Sequence, residues 1–559
     1  MKLSNILKNI PDVKDIKEDL EITNVFCELN AFEKEKENLN VQNILYIVRN
    51  TKSIYKSKKQ NKKVLIKTKS EIFEEIKEIL KHKIGNIVIS KDIYEDKDFD
   101  TLFKEIIEFS NTNIIPISNI KAGEANIAIN FFENPSMDLK VVGIYGDENS
   151  ELLAEYIKKI YENLGVFALY LNEKNEYIEN TLEFQKLLSK YKESGIKTLI
   201  INTSAVSLAD DMYLGTIFET GIFTDISEDK EYWEYNFKNI NEYLDGILKL
   251  FIYANTNIIN NDDIAADYIK NVNKNYLTYG IANKSTYNAT DVNIRANDTN
   301  YIVIVNGKVE RITSSIFGMD AVYASLASLT YGISTSKNLD VIKESINETY
   351  IPYSKEMLKN DLGLQILLDK TSNPLKIEKI LKEAKKLVTG RTVVLVSRDG
   401  LDIYDALPLK ASEIEKYENE EERKEKIKEE IKLRESKIKD ENAEEIEGEK
   451  NIRKNLGEVL SKQSDISIIT TGSSKFENQN QIISEIMLGI DKKRTKPFIY
   501  LDREEAVISA LYNIQKRDLI AIFGMGDNEL DIKGRRKAVN QREIINKFLE
   551  DNKEEIVLR

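Results

Sequence analysis

The sequence predicts an α/β protein of several domains, and three observations carry that prediction. Near-continuous apolar runs of strand length alternate with amphipathic helical stretches from end to end. One run, LKVVGIYG (139–146), is apolar on both faces, as buried parallel strands are. The chain has 559 residues, and at roughly 100–200 residues per domain that length implies three or four domains.

In the first 138 residues, NILYIVRN (43–50) reads as a strand. In SEIFEEIKEILKHKIG (70–85), Ile72, Phe73, Ile76, Ile79 and Leu80 follow helical spacing, with Gly85 as the expected cap. NIVIS (86–90) is the next strand, so this is a small α/β domain.

A second domain, 139–335, opens with the apolar strand. The helix DENSELLAEYIKKIYENLG (147–165) follows, then VFALYL, the helix TLEFQKLLSKYKESG and the strand KTLIINTS. Strand, helix, strand, helix, strand is a doubly wound pattern. ETGIFTDIS (219–227) and KLFIYANTNIINND (249–262) read as further strands. TNYIVIVNGKVE (299–310) reads as a hairpin turning on Asn306-Gly307.

A third domain, 336–559, carries strands in LGLQILLDKTSNP (362–374), TVVLVSRDG (392–400), DISIITTGSS (465–474), KPFIYLD (496–502) and DLIAIFGMGDNE (518–529). A charged insertion, 411–455, interrupts it. Residues 411–450 hold 16 acidic and 10 basic side chains, and Ile427, Ile431 and Ile438 make only a thin apolar stripe. A solvated helical excursion or loop is expected, with a short antiparallel or intermolecular coiled coil as the alternative.

Composition removes several chemistries. The only cysteine is Cys27, the only histidine His82 and the only tryptophan Trp233. One chain therefore cannot build a Cys/His zinc site or an intramolecular disulfide. A catalytic Ser-His-Asp or Cys-His pair would have to use His82, which in KEILKHKIG reads as a solvated surface residue. The net charge of −13 argues against a nucleic-acid or anionic-membrane binder. The N-terminus MKLSNILKNIPDVKD lacks a signal-peptide core, and no run is long and apolar enough for a membrane span. The expected location is cytoplasmic.

The strand ending in Gly143-Ile144-Tyr145-Gly146 enters a helix where a phosphate-binding loop would lie. Such a loop needs a Lys for phosphate and a Ser/Thr for magnesium. The turn here is Gly146-Asp147-Glu148-Asn149-Ser150-Glu151. It has no Lys, and three carboxylates would each oppose a triphosphate by about 1 kcal/mol even when well solvated.

The order of motifs resembles the Mur ligase family, most closely its UDP-N-acetylmuramyl-tripeptide synthetase branch. KVVGIYGDENSELLAEYI is similar to the family's IGVTGTNGKTTTAHLI, and ETGIFTDISEDKEYW to DVAVFTNLSRDHLDYH. Asn260-Asn261-Asp262-Asp263 resembles NADD, and Tyr279-Gly280 a family YG. Asp369 and Pro374 bracket what would be DYAHTP. TTGSSKFENQNQIISEI resembles TSDNPRSEDP and its helix. Asp502-Arg503 resembles DRxxAI, and Gly524-Met525-Gly526 resembles GKGHE.

The resemblance implies an N-terminal UDP-sugar-binding-like domain, a central P-loop-like ATPase domain and a C-terminal Rossmann-like domain. It implies ATP and magnesium as cofactors if activity is retained, and a UDP-N-acetylmuramoyl peptide or a precursor-pathway protein as partner. It implies a monomer, with no nucleic acid. The departures fall on the chemistry. The loop Lys matches Ser150, its Thr Glu151 and its second Gly Asn149; the TTP motif falls near Tyr177-Ile178-Glu179. The Glu and His of EVSSHAL match Asn202 and Val206, the His of DHLD matches Lys230, and the carbamoylated Lys matches Ile247. A one-turn shift would bring in Lys249 instead. The Arg of GRME falls near Ser354. DYAHTP has Lys370 and Ser372 for its Tyr and His, and DNPR becomes Gly472 to Lys475. GKGHE has Met525 and Asp527 for its Lys and His.

The reading is a degenerate ligase acting by binding or scaffolding, with no confident catalytic residue and no metal ligand. An active divergent amide ligase is the alternative. Asn260 and Asp263 read as turn formers or remnants of a nucleotide site. Asp369 reads as a helix cap or a cation ligand. Lys475 is a stand-in for Arg toward a substrate carboxylate, without the bidentate fork.

Overall fold

The computed structural model describes the chain except for residues 14–17, 57–60, 147–148, 173–177, 227–235, 408–419, 513, 527–528 and 559. Asp147, Glu148, Tyr177, Lys230, Trp233 and Asp527 therefore lie outside the described residues. The chain divides into two compact units: Met1–Thr290, Val303–Glu310 and Tyr323–Ile346 form the first, and Asp291–Ile302, Arg311–Val322 and Asn347–Arg559 the second.

The first unit contains two parallel sheets. Asn24–Phe26, Ile44–Ile47, Asn86–Ser90 and Asn113–Ile117 lie in that order in a four-stranded sheet. Thr68 and Glu71 close a reciprocal capping box that starts the helix Lys69–Lys81. Gly85 does not cap this helix. His82 is the cap residue, and Lys83 takes the left-handed turn at φ 55°. Gly85 instead passes so close to the Gln42 carbonyl that a Cβ would collide with it.

Around the strand Lys140–Tyr145 the seven-stranded sheet runs Tyr287–Asn288, Tyr276–Gly280, Ala254–Asn260, Phe218–Phe223, Lys140–Tyr145, Thr198–Thr203, Ala168–Asn172. All neighbours are parallel. The chain leaves Lys140–Tyr145 toward one edge and later returns to pair Phe218–Phe223 on its other side. That topological switch point is where open α/β sheets bind ligands, beyond the carboxyl ends of the strands. Gly143 is a packing glycine: a Cβ there would strike Leu250 and the Phe218 ring.

KLFIYANTNIINND is not all strand: the helix Ile240–Tyr253 runs through its first five residues, and the strand begins at Ala254. Leu250 and Phe251 are fully buried from the helix and Ile258 and Ile259 from the strand, so apolar character runs unbroken across the boundary. The predicted hairpin is present, with Asn306 and Gly307 at φ 50° and 77° between Thr299–Val305 and Lys308–Ser314, the conformation of a type I′ turn.

The second unit is built on a six-stranded sheet, ordered Glu356–Met357, Gln365–Asp369, Leu519–Phe523, Thr392–Arg398, Ile466–Thr471, Lys496–Ile499. Only the first strand is antiparallel. The helices Pro374–Ala384, Ala443–Gln463 and Gln479–Met487 bury Ile377, Leu381, Leu456, Leu460, Ile482 and Ile486 in one core cluster. The helices Arg503–Tyr512 and Gln541–Asp551 bury Val507, Leu511, Ile545 and Leu549 in another.

The charged insertion forms the helix Glu420–Glu441, interrupted only at Asn442 before Ala443–Gln463. Among the described residues it makes no antiparallel coiled coil within the chain. Ile438 is buried while Leu433 is 66% exposed, so the excursion is tethered at its C-terminal end. Among the described residues, no helix is long and apolar enough to cross a membrane.

Candidate functional site

The turn after Lys140–Tyr145 lies at the switch point. Gly146 is required sterically, since a Cβ would collide with Thr224 Oγ1. The helix Ser150–Asn163 starts there with no side-chain cap on its N-terminus.

The groups around the turn are chiefly neutral amides and hydroxyls. Asn202 Nδ2 donates to Ser150 Oγ at 2.9 Å in a buried contact. Asn172 Nδ2 donates to Glu151 Oε1 at 3.1 Å, and Asn149 Nδ2 to Asp225 Oδ2 at 3.3 Å. Two residues that the resemblance singles out, Ser150 and Asn202, thus bond to each other. Val206 is buried in the short helix Ala205–Ala209, and Ile247 is fully buried in a hydrophobic cluster. Both are packing residues.

This donor set does not fit a magnesium nucleotide. Asn149 and Asn202 are more than nine-tenths buried, and among the described residues their Oδ1 atoms have no hydrogen-bond partner. A phosphate would need donors there, and these atoms are acceptors. Glu151 and Asp225 add carboxylates rather than countercharge. Among the described residues no cluster of three His, Cys, Asp or Glu side chains could hold a metal ion.

Asn260 and Asp263 serve the fold. Asn260 Nδ2 donates to the Thr224 carbonyl at 2.7 Å. Asp263 accepts from the Ile226 N–H at 3.2 Å and the Ala265 N–H at 2.8 Å. Between them, Asp262 accepts the N–H groups of Ile281, Ala282 and Asn283 and the Tyr323 hydroxyl. Burial works against its charge, but these donors hold its carboxyl below the usual value.

Lys158, Lys249 and Lys475, the lysines an active ligase would draw on for its cationic roles, are engaged. Lys249 Nζ donates to the Ala209 carbonyl at 2.8 Å and to Asp211 at 2.6 Å. Lys158 Nζ lies 3.6 Å from Glu155 and 3.9 Å from Glu162. Lys475 Nζ is held by Asp402, with Asp405 at 3.4 Å. Burial opposes its charge, but these carboxylates outweigh it and raise its pKa. Asp369 is not the helix cap, since Asn373 caps Pro374–Ala384. Asp369 accepts from the Lys355 and Thr371 N–H groups at 2.8 and 2.7 Å. Burial raises its pKa despite those bonds. His82 is not simply solvated: it lies 2.7 Å from Glu33 and packs edge-on against Phe32.

Two ionic centres were not anticipated. Buried Arg49 faces Glu124 at 3.0 Å, Glu28 at 3.4 Å and Asp210 at 3.6 Å. Burial pushes the Glu28 carboxyl up to about 7, against the pull of Arg49. Glu28 also lines a cavity of about 340 Å³ with Leu29, Asn30, Lys67 and Glu74, Glu75 and Glu78. In the second unit, fully buried Arg453 bonds Glu477 at 2.6 Å, Glu485 at 2.8 Å and Glu449 at 3.1 Å. Arg398 reaches Glu449 at 2.7 and 2.8 Å. The available signal was a lone Arg ending an apolar strand, in ILYIVR and VVLVSR.

The model of the Mur ligase middle domain matches residues 150–332. The chain is 24% identical over 483 residues to the UDP-N-acetylmuramoyl-L-alanyl-D-glutamate–2,6-diaminopimelate ligase 1 of Clostridium acetobutylicum, covering 84% of this chain and 90% of that protein. Over most of its length the chain is similar to Mur ligases. Ligase 2 of the same organism is 22% identical over 569 residues, covering 98% of this chain and all of that protein. A solved diaminopimelate ligase of the same name covers 84% of this chain and 93% of its own, with TM-score 0.57 and 14% identity. MurF from Acinetobacter baumannii covers 98% of both chains, with TM-score 0.51 and 9% identity. These structures share the Mur ligase fold with this chain.

Proposed function

We propose that this chain is a MurE-like protein of cytoplasmic peptidoglycan precursor metabolism that acts by binding rather than by phosphoryl transfer. Its ligand would be a UDP-N-acetylmuramoyl peptide or a partner protein of the same pathway. The observation that carries the reading is the buried Asn202–Ser150 hydrogen bond. Phosphoryl transfer rests on countercharge and positioning around the phosphates. Here a neutral contact occupies the two positions that would supply the Lys and the magnesium carboxylate, and Ile247 stands at the carbamate position.

An active, divergent ATP-dependent ligase adding an amino acid to UDP-N-acetylmuramoyl-L-Ala-D-Glu is the second reading. The end-to-end match to ligase 2 of Clostridium acetobutylicum favours it. It would need Lys158, Lys249 or Lys475 to leave the carboxylates that hold them. Calorimetric titration with a UDP-N-acetylmuramoyl peptide, without and with magnesium-ATP, separates the two. Heat with the peptide alone, and none on adding ATP, supports the binding role. Amide formation or saturable ATP heat establishes the ligase reading instead.

A further inference from the structure

The six-stranded sheet ends at Lys496–Ile499, which among the described residues pairs only with Ile466–Thr471. An unpaired strand edge is a template for another strand. The Lys496 N–H donates to the Asp465 carbonyl at 2.9 Å, and the Tyr500 N–H to the Ile469 carbonyl at 3.0 Å. Alternate residues of a strand turn their backbone groups to opposite sides, so Pro497 and Ile499 face away from the sheet. Pro497 has no N–H to offer. Ile499 presents both an N–H and a carbonyl. Its side chain is 50% exposed and that of Leu501 48%. Leu488 and Ile508, before and after the strand, are exposed as well, so the edge is apolar on its flanks.

Charge is divided along this edge. Lys493, Arg494 and Lys496 lie at its start, and Asp502, Glu504 and Glu505 at its end; all six are exposed. Arg494 meets Asp491 at 3.4 Å, and Asp502 and Glu504 meet Lys537 at 3.6 and 3.9 Å. These are exposed pairs, which exchange partners at little cost. A second copy turned about a two-fold axis through Ile499 lays the basic start of one edge along the acidic end of the other. The same register sets Ile499 against Ile499, Phe498 against Tyr500 and Lys496 against Asp502, each a favourable cross-strand pair. A parallel neighbour would set like charge on like.

We propose that this edge is a homodimer interface, in which two copies of the chain pair antiparallel across Lys496–Ile499. The two backbone hydrogen bonds of the Ile499 pair lie on the axis. Pro497 removes the next donor, so the ladder is short, and the two-fold consumes the edge and stops the assembly at two copies. The inference is independent of what the switch-point turn receives.

Sedimentation of the full chain across a concentration series tests it. The unaltered chain should shift from monomer to dimer as concentration rises. Ile499→Lys should weaken dimerisation at least tenfold with an unchanged melting curve. Lys493→Glu/Lys496→Glu should weaken it likewise, and adding Glu504→Lys/Glu505→Lys should restore it. A chain that stays monomeric throughout overturns the proposal, as does a dimer that survives Ile499→Lys. Failure of the second reversal to restore the dimer contradicts the antiparallel register. A second readout fixes that register independently. The only cysteine, Cys27, is buried, so Ile499→Cys adds an accessible thiol. In an antiparallel hydrogen-bonded pair the Cα atoms lie about 5.5 Å apart, within reach of a disulfide. Mild oxidation should link Ile499→Cys chains at least tenfold faster than Phe109→Cys chains, altered at an exposed position of the first unit. Equal rates contradict the interface.

Discussion

At the carboxyl end of the seven-stranded sheet, Ser150 and Asn202 share one neutral hydrogen bond. At the carboxyl end of the six-stranded sheet, Arg398 and Arg453 hold Glu449, Glu477 and Glu485 in a buried network. Both places lie where α/β sheets carry function. A site that works by charge cannot lose one partner quietly, because the other is left buried and uncompensated. Where both partners are neutral, the penalty is smaller, about 1–3 kcal/mol. The contrast is between a neutral contact at the switch point of the first unit and a charged, mutually dependent network in the second.

The comparison is broken most severely at Arg453. Arg453→Met leaves Glu477 and Glu485 buried without a cation and should cost about 3–5 kcal/mol, measured by urea unfolding. A loss below about 1 kcal/mol would mean the network is solvated and the contrast false.

Acidity sharpens it next, at Glu28. Its folded pKa of about 7 lies above the ordinary 4.5. The native state therefore holds the extra proton in that window, and stability falls as pH rises from 4.5 through 7. The expected loss, discounted for partial exposure, is roughly 1–3 kcal/mol. Glu28→Gln should flatten the profile; an unchanged slope would place the titration elsewhere.

Asn202→Ala comes third. It removes one neutral bond and should cost about 1 kcal/mol in thermal melts. A cost above about 3 kcal/mol would show that Ser150 and Asn202 belong to a larger charged assembly.

The smallest effect belongs to the insertion. Replacing 413–436 by a short Gly-Ser linker spares the buried Ile438 and Glu449 and should change stability by about 0.5 kcal/mol or less. The cut must stop there, because Glu449 bonds both Arg398 and Arg453. Global loss of structure would show that the helix Glu420–Glu441 is part of the core.

Most strands could be read directly, because a strand buried on both faces is an uninterrupted apolar run: NIVIS and TLIINT lie within the strands found at Asn86–Ser90 and Thr198–Thr203. The Tyr253–Ala254 boundary could not, since helix and strand there are equally apolar. Lys83 shows the same limit for caps: a nearby Gly85 drew the prediction, but Lys83 takes the left-handed turn. In the site, the absence of a loop Lys was plain from residue identity. What the surviving lysines do was hidden, because Asp211 lies 38 residues from Lys249 and Asp402 73 residues from Lys475. Pairings that distant come from topology, which local spacing does not encode.

Whether the turn at Gly146 excludes a magnesium nucleotide, as proposed, is decided by a melting curve with magnesium-ATP. Ligand at 100 times its Kd stabilises a folded protein by about 2.7 kcal/mol. No shift is expected at millimolar ATP, in the unaltered chain or in Gly146→Glu. A clear ATP-dependent shift in the unaltered chain, abolished by Gly146→Glu, would contradict it.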